Sequence, residues 1–316
     1  MRALRSLFDA LYQRPALLLV LVTLMWAGNA IAGQLARGEI TPLQLVLARW
    51  GGVLVILWPI YGRQVAECWP VVRPRIWRVA AMGAIGFTAF NILFYWASLE
   101  TSAVNIGILQ GAVPVFVLIG AFLHHGTRVG LLQAVGVCIT LVGVVLVATQ
   151  GAPLSVLETK INIGDVLMLI ACSFYAAYAV LLVGRPAIPG TAFFTLLATV
   201  AALTALPPAI AEALIAETYG WPTIEGWLIV IYVAVFPSCI SQLFFMRGVD
   251  LIGPGRAGVY TNLVPVFAAA MAVGLLGQAF HAYHAVALVA VIGGIALAQH
   301  APRRGAADVD SRPSSP

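Results

Sequence analysis

Charged residues make up only 9% of the 316-residue sequence against 61% hydrophobic residues, and the mean hydropathy is +0.98. Soluble domains carry roughly a quarter charged residues, so this composition suits a lipid bilayer and not water. Cysteine is scarce: the four, at positions 68, 138, 172 and 239, are scattered. None stands at a metal-ligand spacing, so they read as small apolar packing residues, and no metal or other cofactor is expected. The sequence also lacks a Walker-type phosphate loop, GxSxG, HExxH and a pair of intramembrane aspartates. ATP-driven pumping and the common hydrolytic chemistries therefore lack their residues, and His124-His125 reads as a solvated helix end. Alternation of apolar and polar residues is missing as well. Runs such as Val135 to Ala148 are apolar all round, which excludes the strands of a membrane barrel.

What is present is a series of helix-length apolar stretches. A span needs roughly 20 residues to cross about 30 Å of hydrocarbon. Ten are predicted, at about 16–33, 43–62, 77–97, 103–122, 129–148, 163–183, 191–211, 226–246, 258–276 and 282–299. The first is too long, and followed by too poor a processing site at Leu35 to Glu39, to be a cleaved signal peptide. Placing the N-terminus in the cytoplasm puts Arg2, Arg5, Arg14, Arg63, Arg73, Arg75, Arg78, Arg128, Arg185, Arg247, Arg256, Arg303, Arg304 and Arg312 inside. Only Arg37 and Lys160 fall outside, with Arg49 in the membrane. The positive-inside rule therefore predicts two cytoplasmic termini in a multi-pass cell-membrane protein, and the basic isoelectric point needs no nucleic-acid partner.

Shifted by about 150 residues, the sequence matches itself. Trp26-Ala27-Gly28 aligns with Tyr175-Ala176-Ala177, Trp77 with Trp227, Phe94-Tyr95 with Phe244-Phe245, and Pro114-Val115-Phe116 with Pro265-Val266-Phe267, with one extra residue between Asp250 and Pro265. Five spans per copy is an odd number, so the second copy must be inverted relative to the first. The expected fold is an all-α membrane protein of ten transmembrane helices in two inverted five-helix repeats. Its segments are a cytoplasmic N-terminal stretch at 1–15, repeat one at 16–150, an extracytoplasmic linker at 151–162, repeat two at 163–300, and a disordered cytoplasmic tail at 301–316.

Three motifs, in this order and duplicated framework, resemble the EamA branch of the drug/metabolite transporter superfamily: the Arg following Pro in span two (Pro42 to Arg49), the turn at Ala97 to Ala103, and the PVF of spans four and nine. The resemblance covers about residues 16–299 and implies export of amino acids, metabolites or drugs, with spans one to four and six to nine around a central cavity and spans five and ten peripheral. Two departures stand out. Small four-helix relatives carry an essential Glu in the first helix, where this sequence has Trp26-Ala27-Gly28-Asn29, and Thr199 stands opposite Arg49 in the second repeat.

Arg49, a charge roughly 9 Å inside its span, needs a partner. It either faces the cavity to bind a carboxylate or phosphate, pairs with Glu100, or snorkels to the interface and caps carbonyls. Among intramembrane amides, Asn29, Gln110, Gln242 and Asn262 are candidates for the cavity, with interhelical hydrogen bonding as their other role. Of the aromatic residues Trp26, Tyr95, Trp96, Tyr175, Tyr178 and Tyr260, the repeat puts Trp26 and Tyr175 on opposite walls of one site. Pro114 and Pro265 remove a helix hydrogen bond at equivalent positions and are candidate hinges. Trp58, Trp69, Trp77, Trp221 and Trp227 read as interface anchors, and Gly107, Gly111, Gly143 and Gly294 as close-packing residues, with homodimerisation through the peripheral spans left open. The expected activity is secondary transport of a small molecule by alternating access, efflux being the direction that the resemblance implies. A lipid or polyprenol-carrier flippase is the nearer alternative, an intramembrane enzyme the more distant one, and a channel would need a pore-lining charge ring that the sequence does not contain.

Overall fold

The computed structural model describes residues 12–126, 130–152, 162–215 and 220–300. Most of the N-terminal stretch, most of the linker and the whole tail lie outside the described residues. Within them nine helical runs are long and apolar enough to cross a membrane. One, Pro42–Glu100, has 59 residues, or about 88 Å at 1.5 Å per residue, far more than one crossing needs. It is broken at Arg73–Arg75 by a 3-10 turn centred on Pro74.

The elements are α1 (Pro15–Leu35), α2 (Pro42–Val72), α3 (Ile76–Gly83 and Phe90–Glu100), α4 (Ala103–Leu109 and Val113–His125), α5 (Leu131–Ala148), α6 (Ile163–Leu181), α7 (Gly190–Ile215), α8 (Ile224–Ala234 and Ser241–Ile252), α9 (Pro254–Tyr260 and Val264–Leu276) and α10 (Ala282–His300). Local chemistry sets their ends. Thr41 and Gln44 form a reciprocal capping box at the start of α2, with Pro42 at the first helical position, where a missing N–H costs nothing. Ser102, Asn162 and Thr223 cap α4, α6 and α8 with their side-chain oxygens.

The duplication is written into the irregularities. A π-helical turn interrupts α3 at Ala84–Ala89 and α8 at Val235–Ile240, and a 3-10 turn interrupts α4 at Gln110–Ala112 and α9 at Thr261–Leu263. Both α4 and α9 end on a left-handed glycine, Gly126 (φ 63°) and Gly277 (φ 62°), a conformation that a Cβ would strain. The paired π turns put Phe94 opposite Phe245 and Asn91 opposite Gln242. The extra residue of repeat two therefore falls before these turns, and not after Asp250 as the sequence alignment places it; apolar helices offer few landmarks by which to fix a one-residue slip.

Packing follows the same two-fold pattern. Helix α1 packs on α8 and α9, and its mate α6 packs on α3 and α4, while α2 pairs with α7, α4 with α9, and α5 with α10. Small residues let the last pair approach closely: a Cβ on Gly136 would lie 2.5 Å from the Gly294 carbonyl, and one on Gly143 would lie 2.8 Å from the Ala287 carbonyl. These glycines are thus occupied within the chain. Gly107 and Gly111 are occupied likewise, against Ala268 and Val291. Large apolar side chains such as Leu131, Val142, Leu214, Leu228 and Val289 point outward, as bilayer-facing surfaces require; of the five expected anchor tryptophans, Trp69, Trp77, Trp221 and Trp227 are exposed near helix ends, whereas Trp58 lies in the middle of α2 and donates to Thr199 Oγ1 of α7 at 3.1 Å.

Candidate functional site

A cavity of about 840 Å³ lies between the two repeats. Trp26, Asn29, Arg49, Gln110, Tyr175, Tyr178, Gln242 and Asn262 all line it, together with Pro114 and Pro265. Tyr95 stands just behind this wall, bonded to the cavity-lining Arg49 and Asn29. Trp96 is 40% exposed on the outside, and neither it nor Tyr260 lines the cavity.

Arg49 is the focus of the site and is only 6% exposed. Its Nε donates to Ser238 Oγ (2.8 Å), and its Nη1 is shared among Asn91 Oδ1 (2.7 Å), Tyr95 OH (2.7 Å) and Asn29 Oδ1 (3.1 Å). All four partners are neutral. Pairing with Glu100 and snorkelling to the interface are therefore both displaced by a cage of uncharged acceptors, which solvates the guanidinium without cancelling its charge. Nη2 has no partner among the described residues, and the Arg49 side chain lines the cavity.

Each cage member is itself fixed. Pro237 lies inside the π turn of α8 and supplies no N–H, and the Val233 carbonyl four residues earlier is satisfied by Ser238 Oγ at 2.6 Å. That bond turns the Ser238 oxygen into an oriented acceptor for Arg49. On α3, Asn91 Nδ2 donates to the Phe87 carbonyl (2.5 Å), which leaves Oδ1 toward Arg49, and Tyr95 OH donates to Asn29 Oδ1 (2.8 Å). Ser238 is the site residue that sequence reasoning passes over; Asn91 is legible there as a polar residue within a span, but not as one of the cavity candidates. The available signal for the first was a Pro-Ser pair inside an apolar span.

Aromatic rings build the walls. Trp26 packs against Phe245 with the rings tilted at 46° and 5.3 Å apart, and donates from Nε1 to Ser241 Oγ at 3.0 Å. Its repeat mate Tyr175 lies 5.3 Å from Phe90, the mate of Ser241, so the two aromatic anchors meet two-fold-equivalent positions of α8 and α3. Tyr178 packs edge-on to Phe87 at 5.3 Å, made possible by Gly86, whose added Cβ would sit 2.4 Å from the tyrosine ring. Two amides have unsatisfied atoms, buried Gln110 Nε2 and Asn262 Oδ1, although Asn262 Nδ2 reaches Gln299 Oε1 at 3.3 Å. A free donor and a free acceptor on cavity-lining residues of α4 and α9 are the kind of pair that a polar solute satisfies.

The cavity continues toward the end of the bundle marked by Tyr12, Thr191, Arg185, Arg247 and Asp250. Its lining thus holds three arginines, counting Arg49, against one aspartate. Arg247 lies over the Tyr12 ring at 5.1 Å and donates to Gln13 Oε1 at 3.0 Å. At the other end polar groups close the bundle. Gln34 Nε2 donates to the carbonyls of Ser98 (2.8 Å) and Thr101 (2.7 Å), and Gln278 joins its Nε2 to Gln34 Oε1 (3.3 Å) while accepting from the Ala103 N–H (3.0 Å). Arg37 adds donations to the carbonyls of Ser98 and Leu99. The seal joins α1 to the α3–α4 turn and to the α9–α10 connection.

The EamA-like transporter family profile matches the chain twice, at residues 13–149 and 162–299. An uncharacterized transporter of Bacillus subtilis (strain 168), YyaM, is 27% identical over 220 residues, covering 69% of this chain and 71% of the relative. A second from the same organism, YetK, is 26% identical over 213 residues, 66% and 64% of the two chains. An uncharacterized transporter of Archaeoglobus fulgidus is 26% identical over 288 residues, covering 89% of this chain and 96% of its own. A crystal structure similar in fold aligns with a TM-score of 0.60 at 20% identity, over 90% of this chain and 96% of that one. Two family matches that together span almost all the described helices, on a duplicated helical bundle built for a bilayer, place this multi-pass membrane protein in the EamA-like transporter family.

Proposed function

We propose that the chain is a secondary transporter that moves a small anionic solute by alternating access. In this reading the α2–α3 run crosses the membrane twice, giving ten spans in two inverted halves, both termini are cytoplasmic, and the cavity mouth at Arg185 and Arg247 faces the cytoplasm. The single observation that carries the reading is Arg49: a buried guanidinium at the repeat interface, held by four neutral oxygens, with one nitrogen unpaired on the cavity side. A carboxylate or phosphate supplies the charge that the cage omits, and the two arginines toward the mouth raise its local concentration. Tyr175, Tyr178 and Trp26 then cover the solute's apolar body, and Gln110 and Asn262 meet a second polar group. Pro114 and Pro265, each the second residue of the helix that follows a 3-10 turn, serve as the hinges. Export is the direction assigned.

Counterflow in proteoliposomes tests this. Vesicles loaded with one unlabelled compound from a panel of small carboxylates, phosphorylated metabolites, zwitterions and organic cations are given trace label outside. The expected result is accumulation with anionic members and none with cations. Accumulation confined to cations, or uptake of headgroup-labelled lipid in place of any soluble compound, overturns the assignment.

A further inference from the structure

Beyond the cavity, at its sealed end, α6 carries a carboxylate that the solute site does not use. Asp165 is 1% exposed. It accepts from Thr101 Oγ1 at 2.6 Å and from Asn105 Nδ2 at 3.3 and 3.4 Å, and no cationic side chain is among its partners in the described residues. It lies in the first turn of α6, after the Asn162 cap. Asn105 extends the chain of bonds: its Oδ1 lies 3.1 Å from His284 Nε2. The His281 N–H donates to His284 Nδ1 at 3.0 Å, so that nitrogen carries no proton and, in the neutral ring, Nε2 is the donor to Asn105. The histidine is thereby held as a neutral donor, and Asp165 is the acceptor on which the chain terminates.

This cluster is wired to the seal. Thr101, which donates its hydroxyl to Asp165, offers its carbonyl to Gln34. Gly164 lets α6 approach so closely that an added Cβ would sit 2.8 Å from the Thr101 nitrogen and 2.9 Å from the Ala97 carbonyl. The other charged or titratable groups around the seal are Arg37 near the end of α1, Glu100 at the end of α3, and His281, Tyr283 and His284 on the α10 side. None of them bonds the carboxylate.

We propose that Asp165 is a proton-binding site that governs the seal: ionised, it pins Thr101 and Asn105 and keeps this end shut; protonated, it lets the α3–α4 turn move and the end open. The physical step is small and complete. A proton from the aqueous phase binds one carboxylate oxygen, the charge that strengthens the Thr101 bond roughly twofold disappears, and the new O–H faces Asn105 Nδ2, which only donates, and a Thr101 hydroxyl that already donates to Asp165 and accepts from Asn105 Nδ2 at 3.1 Å. Within the transporter reading given above, such a site couples solute movement to a proton gradient and stands in for the acid missing from the first helix.

The test reads the seal directly and needs no transported solute. In the full-length chain with its native cysteines replaced by alanine, spin labels at Leu35→Cys and Ile163→Cys, both exposed, report the α1–α6 distance by pulsed electron resonance in nanodiscs. Lowering the pH from about 8 to about 5 is expected to increase the population at longer distance, and Asp165→Asn to show the longer distance at both values. A distance insensitive to pH overturns the proposal. So does an Asp165→Asn protein that still responds as the parent does, or a response abolished by His284→Gln while Asp165→Asn retains it. If Asp165→Asn does not fold, Asp165→Glu decides: a moved midpoint supports the site, and an unchanged one refutes it. Failure of counterflow with every anion would sink the solute assignment and leave this measurement untouched.

Discussion

Replacing Arg49 separates its charge from its shape. Lysine keeps the charge but has one nitrogen, which cannot reach Ser238 on α8 while also serving Asn29, Asn91 and Tyr95 and presenting a free donor to the cavity. Alanine removes both. The fold has reason to tolerate the loss, because Ser238 keeps its bond to the Val233 carbonyl, Asn91 its bond to the Phe87 carbonyl, and Tyr95 its bond to Asn29. What is lost is the bond to the solute, and a charge-assisted bond is worth about 2–3 kcal/mol. That converts to roughly a 30- to 150-fold weaker affinity for Arg49→Ala. Arg49→Lys is expected to fall between the two, since it retains attraction and loses the fork. The assay is concentration dependence of counterflow with the best anion from the panel, with thermal unfolding in detergent as the check on folding. An Arg49→Ala protein that unfolds at the parental temperature and transports with parental half-saturation would refute the reasoning, because the guanidinium would then be a purely internal strut.

Two further substitutions probe the supports. Ser238→Ala leaves the Val233 carbonyl without its hydroxyl donor and Arg49 Nε without an acceptor, so it should cost about 1–3 kcal/mol of stability and weaken anion affinity together, seen as a lower unfolding temperature and a higher half-saturation concentration. Gly136→Ala places a methyl against backbone atoms of α10, the Gly294 carbonyl at 2.5 Å and the Ala298 nitrogen at 2.7 Å, which cannot rotate away; a loss of about 1–3 kcal/mol in thermal or denaturant unfolding with unaltered solute preference is expected.

Much of this was legible in the sequence because the bilayer simplifies the grammar. Apolar length gave the helices, and Trp26, Tyr175, Asn29, Gln110, Gln242 and Asn262 stood out since a polar or amphipathic group in hydrocarbon must face something other than lipid. The same rule could not say which amide solvates Arg49 and which meets solute, since Asn29 and Asn91 differ from Gln110 only in what lies across a helix interface. The π turns were also hidden. They move Asn91 and Ser238 onto the face of Arg49 through one extra backbone residue per turn, and nothing in an apolar run marks that residue. Nothing in the sequence singles out Asp165, because its partners Thr101 and Asn105 lie 64 and 60 residues away in the chain.

The proposed alternating access requires a second conformation. If the halves are inverted, as that reading has them, each can adopt the shape the other now has, and contacts closing one end should have counterparts that close the other. The register that pairs Trp26 with Tyr175 puts Val183 opposite Gln34, and the register of the π turns puts Val249 and Ile252 opposite Ser98 and Thr101. Leu182, Val249 and Asp250 now line the open end of the cavity. Closure there should bring the end of α6 onto the α8–α9 turn, as the end of α1 now meets the α3–α4 turn. This seal would be mainly apolar, where its counterpart is built from glutamines, so it should form by excluding water and not by exchanging hydrogen bonds. A Val183→Cys, Val249→Cys pair in the otherwise cysteine-free chain is expected to cross-link under mild oxidation and stop counterflow, with full recovery on reduction. Cross-linked protein that transports at the parental rate would show that the two ends do not alternate in this way.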